Sequence, residues 1–456
     1  MPVNHRARRL AAAALSVVVA LALGACAQEY PNTTFTPHTE FGRDIDALWD
    51  TLLLWGTIVF VVVEVALLFT IIRFRHRPGT PEPKQVHGNT ALEIAWTLAP
   101  AAILILIAIP TVRTIFRTQA EAIPNALQVE VIGHQWWWEF RYPQYGFTTA
   151  NELYLPVGRT VNFSLESADV LHSFWIPQLG GKRDLISNRT NYLWFTPDST
   201  LESSAWNGFC AEYCGDSHAN MKFRVFTVQP AEFESWVKLQ QSPAAMPGTG
   251  APSAATLPAP VADTAAGDAG ADSATTAAAA ALTGDTVRAQ LAAGVTPDTT
   301  APTYASAIPD TISSAAAPAG YTFPAERMER HAVPATPIPE GLELSVPPES
   351  GDAARGRQIY SSNACIACHM IEGNPNSQGV IGPNLTHVGS RRTIGAGLYP
   401  NDPRHLALWI KNSQKMKPGS IMPPQGQGEV DSRTGAAGAL TDQQIADIAA
   451  YLSALR

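Results

Sequence analysis

Cys210 and Cys214 stand four residues apart in the run CAEYCGDSHANM (210–221), which puts two thiols on one tight loop with His218 and Met221 close behind. Thiolate, imidazole and thioether together select soft or borderline metals and suit copper, whereas a structural zinc site takes four strong ligands and no methionine. A further ligand must come from upstream. His172, in SADVLHSFWIP (167–177), supplies a second imidazole from what reads as a strand. Two thiolates, two imidazoles, a thioether and one backbone carbonyl suffice for two coppers bridged by both sulfurs. Bridging sulfurs let the coppers share one unpaired electron, so bond lengths change little between redox states and the site acts as a relay. A bare CxxxC is equally a redox pair or a zinc fragment, and a single buried histidine is usually structural. The combination with His172, His218 and Met221 is what favours copper.

A second centre lies near the C-terminus. CIACH (365–369) is the attachment signature of a c-type haem: Cys365 and Cys368 bond to the porphyrin vinyls and His369 reaches the iron. The sixth ligand is expected from a methionine on a later loop, either Met422 in SIMPP or Met416. Met370 adjoins His369 and cannot swing to the opposite face.

These centres need several domains to carry them. The chain has 456 residues, 46% hydrophobic and 15% charged, a balance that fits a membrane protein with soluble parts. A net charge of −8 without a basic face argues against a nucleic-acid partner and suits a small basic electron donor. The five cysteines are Cys26 and the two pairs already named, so none is left for a structural disulfide.

Residues 1–25 have a basic start, an apolar run from Leu10 to Leu23 and small residues before Cys26, and read as a signal peptide. LGAC resembles the bacterial lipobox, which implies cleavage before Cys26 and lipid on its sulfur; the other reading is a short uncleaved anchor. Leu48 to Ile72 and Ile94 to Phe116 each supply the ~20 apolar residues that span a bilayer as helix, giving a transmembrane hairpin within 26–120. Arg73, Arg75, His76, Arg77 and Lys84 between them place the connecting loop in the cytoplasm, while Arg113 and Arg117 oppose this weakly and could face phospholipid headgroups. Glu64, within the first span, is costly unless neutral or facing protein.

Residues 121–240 read as a β-sandwich or barrel, with LQVEVIGHQWWWEF, NELYLPVGRTVNFSLES, RTNYLWFTP and MKFRVFTVQP between turn residues. In AEFESWVKLQQ, Phe233, Trp236 and Val237 share one helical face that packs back on this domain. Ala, Pro, Thr, Ser and Gly dominate 241–345, which reads as a disordered tether spanning ~50–60 Å as a flexible coil. Residues 346–456 read as an all-α haem domain whose helices lie in GDAARGRQIYSSN, PRHLALWIKN and TDQQIADIAAYLSALR, the last opened by a capping box of Thr441 and Gln444.

The copper loop, with GHQWWWEF (133–140), LHSFWIP (171–177) and NTALEIAWTLAP (89–100), resembles subunit II of haem–copper cytochrome c oxidases, and the last domain resembles a class I cytochrome c. The resemblance implies a cupredoxin Greek-key sandwich holding dinuclear copper-A on His172, Cys210, Cys214, His218 and Met221, with the main-chain carbonyl of Glu212. It further implies Trp136 as the tryptophan where electrons arrive, Asp169 as an acid facing the donor, and magnesium on the Glu212 carboxylate at subunit I. Glu93 corresponds to a glutamate at the start of a proton pathway; it is equally an ordinary acid at a helix N-terminus. Met422 takes the place of the axial methionine. If GHQWWWEF is one strand, Trp136 and Trp138 share a side and Trp137 takes the other. Ser187 and Asn188 replace a frequent Pro-Gly, and Asn tolerates the left-handed backbone such a turn needs.

The whole pattern is that of a caa3-type oxidase subunit, in which electrons from a cytochrome donor or complex III pass through haem c and copper-A to the haem of subunit I. Oxygen reduction and most proton translocation would occur there. The metal centres would lie outside the bacterial inner membrane, and the tether would hold the haem at high effective concentration without fixing one docked pose. A copper-A nitric oxide reductase would use a similar subunit with another catalytic partner. A membrane-tethered copper carrier needs a labile, open site, and quinol oxidases share the fold without the copper ligands.

Overall fold

The computed structural model describes residues 13, 14, 16, 17, 30, 32–76, 79, 88–119, 125–246 and 320–456. Cys26, and the signal-peptide and lipid expectations with it, lie outside the described residues, as do 247–319 of the expected tether.

Two apolar helices come first, α1 (Glu40–Arg73) and α2 (Thr90–Gln119), and each contains a window apolar enough to cross a membrane. They pack against each other and anchor the protein in a membrane. At 1.5 Å per residue α1 is about 51 Å long, well beyond a ~30 Å hydrocarbon core, so its first turns project out of it. Those turns are built into the next domain. Thr39 caps α1 through Gly42 N (3.0 Å) and donates to Leu179 O, and the Glu40 carboxylate accepts from Thr196 N at 3.1 Å. Phe41 is buried among the sandwich residues, which stabilises the junction by roughly 1.5–3 kcal/mol. Arg117 does not face headgroups alone: its Nε lies 2.7 Å from Asp44 and ties the C-terminal end of α2 to α1.

Two five-stranded sheets follow. The strands are β1 (Leu127–His134), β2 (Trp137–Tyr142), β3 (Phe147–Ala150), β4 (Glu152–Pro156), β5 (Val161–Ser167), β6 (His172–Trp175), β7 (Arg183–Leu185), β8 (Asn191–Phe195), β9 (Ser204–Cys210) and β10 (Lys222–Val228). One sheet has the order β3-β2-β1-β5-β8 and the other β4-β10-β9-β6-β7. The period-2 pattern drives the packing: Val161, Phe163 and Leu165 of β5 point inward while Asn162 and Ser164 do not. Phe174 and Phe223 stack at the centre, 4.9 Å apart. Helix α3 (Pro230–Gln240) buries Phe233, Trp236 and Val237 against this body, as its spacing predicts. Asn188 turns with φ +61°, the left-handed conformation anticipated for it.

The C-terminal lobe contains α4 (Ala353–Ser362), α5 (Cys365–Cys368), a short ribbon of β11 (Thr393–Ile394) and β12 (Tyr399–Pro400), α6 (Pro403–Lys411), α7 (Ser413–Met416) and α8 (Asp442–Ala454). The capping box of Thr441 and Gln444 opens α8 as expected. Asp447 on α8 accepts from Asp352 N (2.7 Å) and from the Arg355 guanidinium (2.9 and 3.0 Å), which joins α8 to the start of α4.

Two expectations need correction. Residues 320–345 are not tether: Tyr321 and Phe323 are buried in the sandwich core, Phe323 stacks on Phe226 at 4.7 Å, and Asn207 donates to His331 O at 3.0 Å. A Pro-rich composition hides this because two aromatic rings in ready pockets outweigh it. Nor is the lobe left without a fixed pose. The described parts of sandwich and lobe form one compact unit. Buried Glu152 of β4 accepts from Arg392 N (2.7 Å), Thr393 N (2.8 Å) and Thr393 Oγ1 (3.1 Å), and Arg224 of β10 donates to Gly397 O at 3.0 Å.

Candidate metal centre and haem cavity

The copper loop is the connection from β9 to β10. Its ends are pinned by the sheet, with Cys210 N donating to Met221 O (3.0 Å) and Ala211 N to Ser173 O (2.9 Å). His172 opens β6, the neighbour of β9, and so arrives beside Cys210. Cys210 Sγ lies 3.8 Å from Cys214 Sγ, 3.9 Å from His172 Nδ1 and 3.2 Å from Glu212 O. Cys214 Sγ lies 3.6 Å from His218 Nδ1 and 3.8 Å from Met221 Sδ. Every ligand expected at this site therefore converges on the two sulfurs, and the ligand atoms of His172, Cys210 and Cys214 lie within 4.8 Å of one another.

This arrangement fits metal and not a disulfide. The sulfurs are far beyond the ~2.05 Å of an S–S bond, yet closer than twice a ~2.3 Å metal–thiolate bond, so one ion can touch both. As thiols, Cys210 is pushed down to about 3 by the hydrogen bond from Cys214, with His172 adding to it, while Cys214 is pushed up by that same hydrogen bond to Cys210, with burial and the Cys210 charge adding to it. Bound metal would displace the Cys214 proton as well, releasing it to solvent.

His172 is held from two sides. Its Nε2 lies 2.8 Å from Asp169 Oδ1, which leaves Nδ1 aimed at Cys210. Burial alone lowers the His172 pKa, but Asp169 and the Cys210 sulfur outweigh it and raise it. The Asp169 carboxylate also accepts from Gln135 N and Val170 N, both at 2.7 Å. Burial works against its charge, yet these bonds hold it below the ordinary aspartate range. On the other side stands Gly133, where a Cβ would meet His172 Cδ2 at 2.7 Å. Asp169 was expected to face a donor or simply solvent; the structure shows it bonded to the buried His172 ring. Neither role of Asp169 and Gly133 follows from composition, although the Gly of GHQ and an acid three residues before His172 were both in view.

Trp136 lies outside any strand. Gln135 and Trp136 form the two-residue turn between β1 and β2, paired His134 to Trp137 and Gly133 to Trp138. The alternation expected through Trp136 therefore begins only at Trp137. Trp137 stacks on His134 at 4.1 Å, Trp138 is fully buried, and Trp136 Nε1 donates to Cys214 O at 3.0 Å. The Glu212 carboxylate accepts from Tyr213 N at 3.2 Å. Glu93 lies in the first turn of α2, and Glu64 is half-buried on α1.

In the C-terminal lobe a cavity of about 270 Å³ is lined by Cys365, Cys368, His369 and Met422, and on its other wall by Gln135 and Trp136 of the sandwich. His369 Nδ1 lies 2.8 Å from Pro383 O, so the N–H sits there and Nε2 is the nitrogen left to bind iron. Burial pulls its imidazole below the usual 6.5, which keeps it neutral. Two thiols, a neutral imidazole and a thioether around one apolar cavity fit a covalently held haem. Met422 is on the lining, held by Ser413 Oγ to Met422 O (2.7 Å), whereas Met416 is buried in the lobe's hydrophobic core.

Comparison with known families agrees with this geometry. The models "Cytochrome C oxidase subunit II, transmembrane domain", "Cytochrome C oxidase subunit II, periplasmic domain" and "Cytochrome c" match residues 12–114, 146–228 and 353–456. Cytochrome c oxidase subunit 2 of Bacillus subtilis is 38% identical over 49% of this chain and 66% of its own length. Quinol oxidase subunit 2 of Bacillus spizizenii is 35% identical over 50% of this chain and 71% of its own. Cytochrome c oxidase subunit 2 of Alkalihalophilus pseudofirmus is 30% identical over 88% of both chains. The chain belongs to the cytochrome c oxidase subunit 2 family, with a cytochrome c domain at its C-terminus, and is a subunit of an oxidoreductase complex.

Proposed function

We propose that this is the electron-input subunit of a caa3-type cytochrome c oxidase. Cys365, Cys368, His369 and Met422 would hold haem c, and His172, Cys210, Glu212 O, Cys214, His218 and Met221 would hold copper-A. When bound, these groups would supply one-electron relays, carrying electrons from a cytochrome donor or complex III toward the haem of subunit I. The observation that carries the reading is the position of Trp136, which lines the haem cavity and donates to the main chain of copper ligand Cys214. The two centres thus share one side chain. The gathered thiolates favour this reading over a quinol oxidase subunit, which would have no use for them.

The chain's own residues supply position. Asp169 and Gly133 orient His172, Pro383 O orients His369, and the junction at Thr39, Glu40 and Phe41 carries the sandwich on α1. Glu93 would stand at the cytoplasmic start of a proton pathway, with the metal centres on the outer side of the inner membrane. A magnesium ion on the Glu212 carboxylate would belong to the contact with subunit I.

Electron paramagnetic resonance and optical spectroscopy of the copper- and haem-loaded chain test the assignment. The expected result is a mixed-valence dinuclear copper signal, lost in Cys214→Ser, beside a low-spin haem whose methionine ligation is lost in Met422→Ala and kept in Met416→Leu. A mononuclear copper signal in the loaded protein overturns it.

A further inference from the structure

Between the two centres the contact is made by one short loop of the haem lobe, residues 417–420, which leads directly into Met422. Lys417 is 4% exposed, and its Nζ donates to the main-chain carbonyl of Trp136. Two residues on, Gly419 (φ +87°) lies so close that a Cβ there would stand 3.1 Å from both the Trp136 ring and Asp216 Cβ. The loop is braced from behind: Lys417 N donates to Ser413 O (2.8 Å), Ser420 N to Lys417 O (3.0 Å), and Tyr399 OH to Met416 O (2.7 Å). Trp136 is itself fixed on its far side by the bond from Nε1 to Cys214 O. A chain of short contacts thus runs from Cys214 through Trp136 to Lys417 and on to Met422. Lys417 is the single basic side chain in it; burial lowers its pKa to about 7, and ammonium and amine alike can donate this bond.

Resting on the function proposed above, we infer that Lys417 is a positioning residue for electron transfer between the lobes: the bond from its Nζ fastens the methionine-bearing loop to the Trp136 carbonyl and sets the spacing of haem cavity and copper site. The step it serves moves one electron from reduced haem iron, which becomes oxidised, to the oxidised copper pair, which becomes reduced. No bond is made or broken and no proton is transferred. Glu152 and Arg224 fix the lobe as a body, at contacts made by other segments of both lobes. Lys417 acts where the electron crosses. A misplacement of about 1 Å at a reacting site can cost ~10²-fold in rate, so the loss of one anchoring bond is enough to matter.

The test uses the full chain loaded with copper and haem, as wild type, Lys417→Met and Lys417→Arg. Met keeps the length without a donor, and Arg keeps a donor. Haem-to-copper transfer is followed after rapid photoreduction of the haem, at two solvent viscosities. Hydrogen exchange of the 133–140 peptide is followed separately on the chain without copper. The expected result is a fall of roughly tenfold or more in Lys417→Met, with a new viscosity dependence and faster exchange at 133–140. Lys417→Arg recovers most of the rate, and the copper and haem spectra are the same in all three. Equal rates and equal exchange in Lys417→Met overturn the inference while leaving the function intact. Absence of haem-to-copper transfer in the wild type overturns the function itself.

Discussion

His172 shows how much of a metal site lies outside its ligands. The imidazole is fully buried, and its direction is set by Asp169 on one edge and by the missing Cβ of Gly133 on the other. Asp169→Asn keeps the size but offers no charge to the ring, and such partners of ligands are worth about 10–100-fold in metal affinity. We expect copper affinity to fall by that order, measured by competition with a chelator, while the haem spectrum is unchanged. Gly133→Ala places a carbon 2.7 Å from the ring and should displace it, changing the copper resonance signal rather than only weakening it. The side chains that converge on the two sulfurs were legible, because thiolates, imidazoles and a thioether at short spacing have few other uses. Asp169 was not, since an acid in an exposed loop looks the same whether it faces water, a donor or a buried ring.

Elements were read best where a local rule decides them. The capping box of α8 is local: Thr441 Oγ1 accepts from Gln444 N (3.3 Å) and Gln444 Oε1 accepts from Thr441 N (2.9 Å). Thr441→Ala should cost about 1 kcal/mol and lower the haem lobe's melting temperature by a few degrees, followed by haem absorbance. An unchanged transition would mean that tertiary packing alone holds the first turn of α8. Asn188 is equally local, for its left-handed turn was visible in its side chain. Trp136 was misplaced by one step because hydrophobic alternation does not reveal where a two-residue turn falls. Residues 320–345 were misread for the opposite reason: composition averages over a segment, and Tyr321 and Phe323 act singly by filling pockets that only the folded sandwich offers. Their ordering comes from long-range contact, which no window of sequence contains.

At the scale of the molecule, the docking of lobe on sandwich could not be foreseen, because it is made by polar groups far apart in the chain. Glu152 is its centre. One carboxylate oxygen serves Arg392 N, Thr393 N and Thr393 Oγ1, while Arg391, Arg224, Tyr154 and His387 surround the group. A protease site placed near residue 280 would cut the connection without touching the described contacts, and we expect the two pieces to stay together on gel filtration. Glu152→Ala should weaken their association without abolishing it, since each buried N–H left without an acceptor costs roughly 1–3 kcal/mol while Tyr321 and Phe323, which stay with the haem piece, remain buried in the sandwich. Their pH dependence has a definite sign. Burial raises the Glu152 carboxyl above its ordinary 4.5, despite the opposing pull of Arg391 and the backbone N–H groups. A group whose pKa is higher in the docked state favours docking most below its free value, and that contribution is lost as pH rises through the docked value. The cut pieces should therefore hold together more tightly on the acid side of that range, and Glu152→Gln, which keeps an acceptor oxygen but cannot ionise, should flatten this dependence. If the cut pieces separate at every pH in the wild type, the connection rather than the interface holds the haem beside copper-A, and the lobe works as a tethered donor after all.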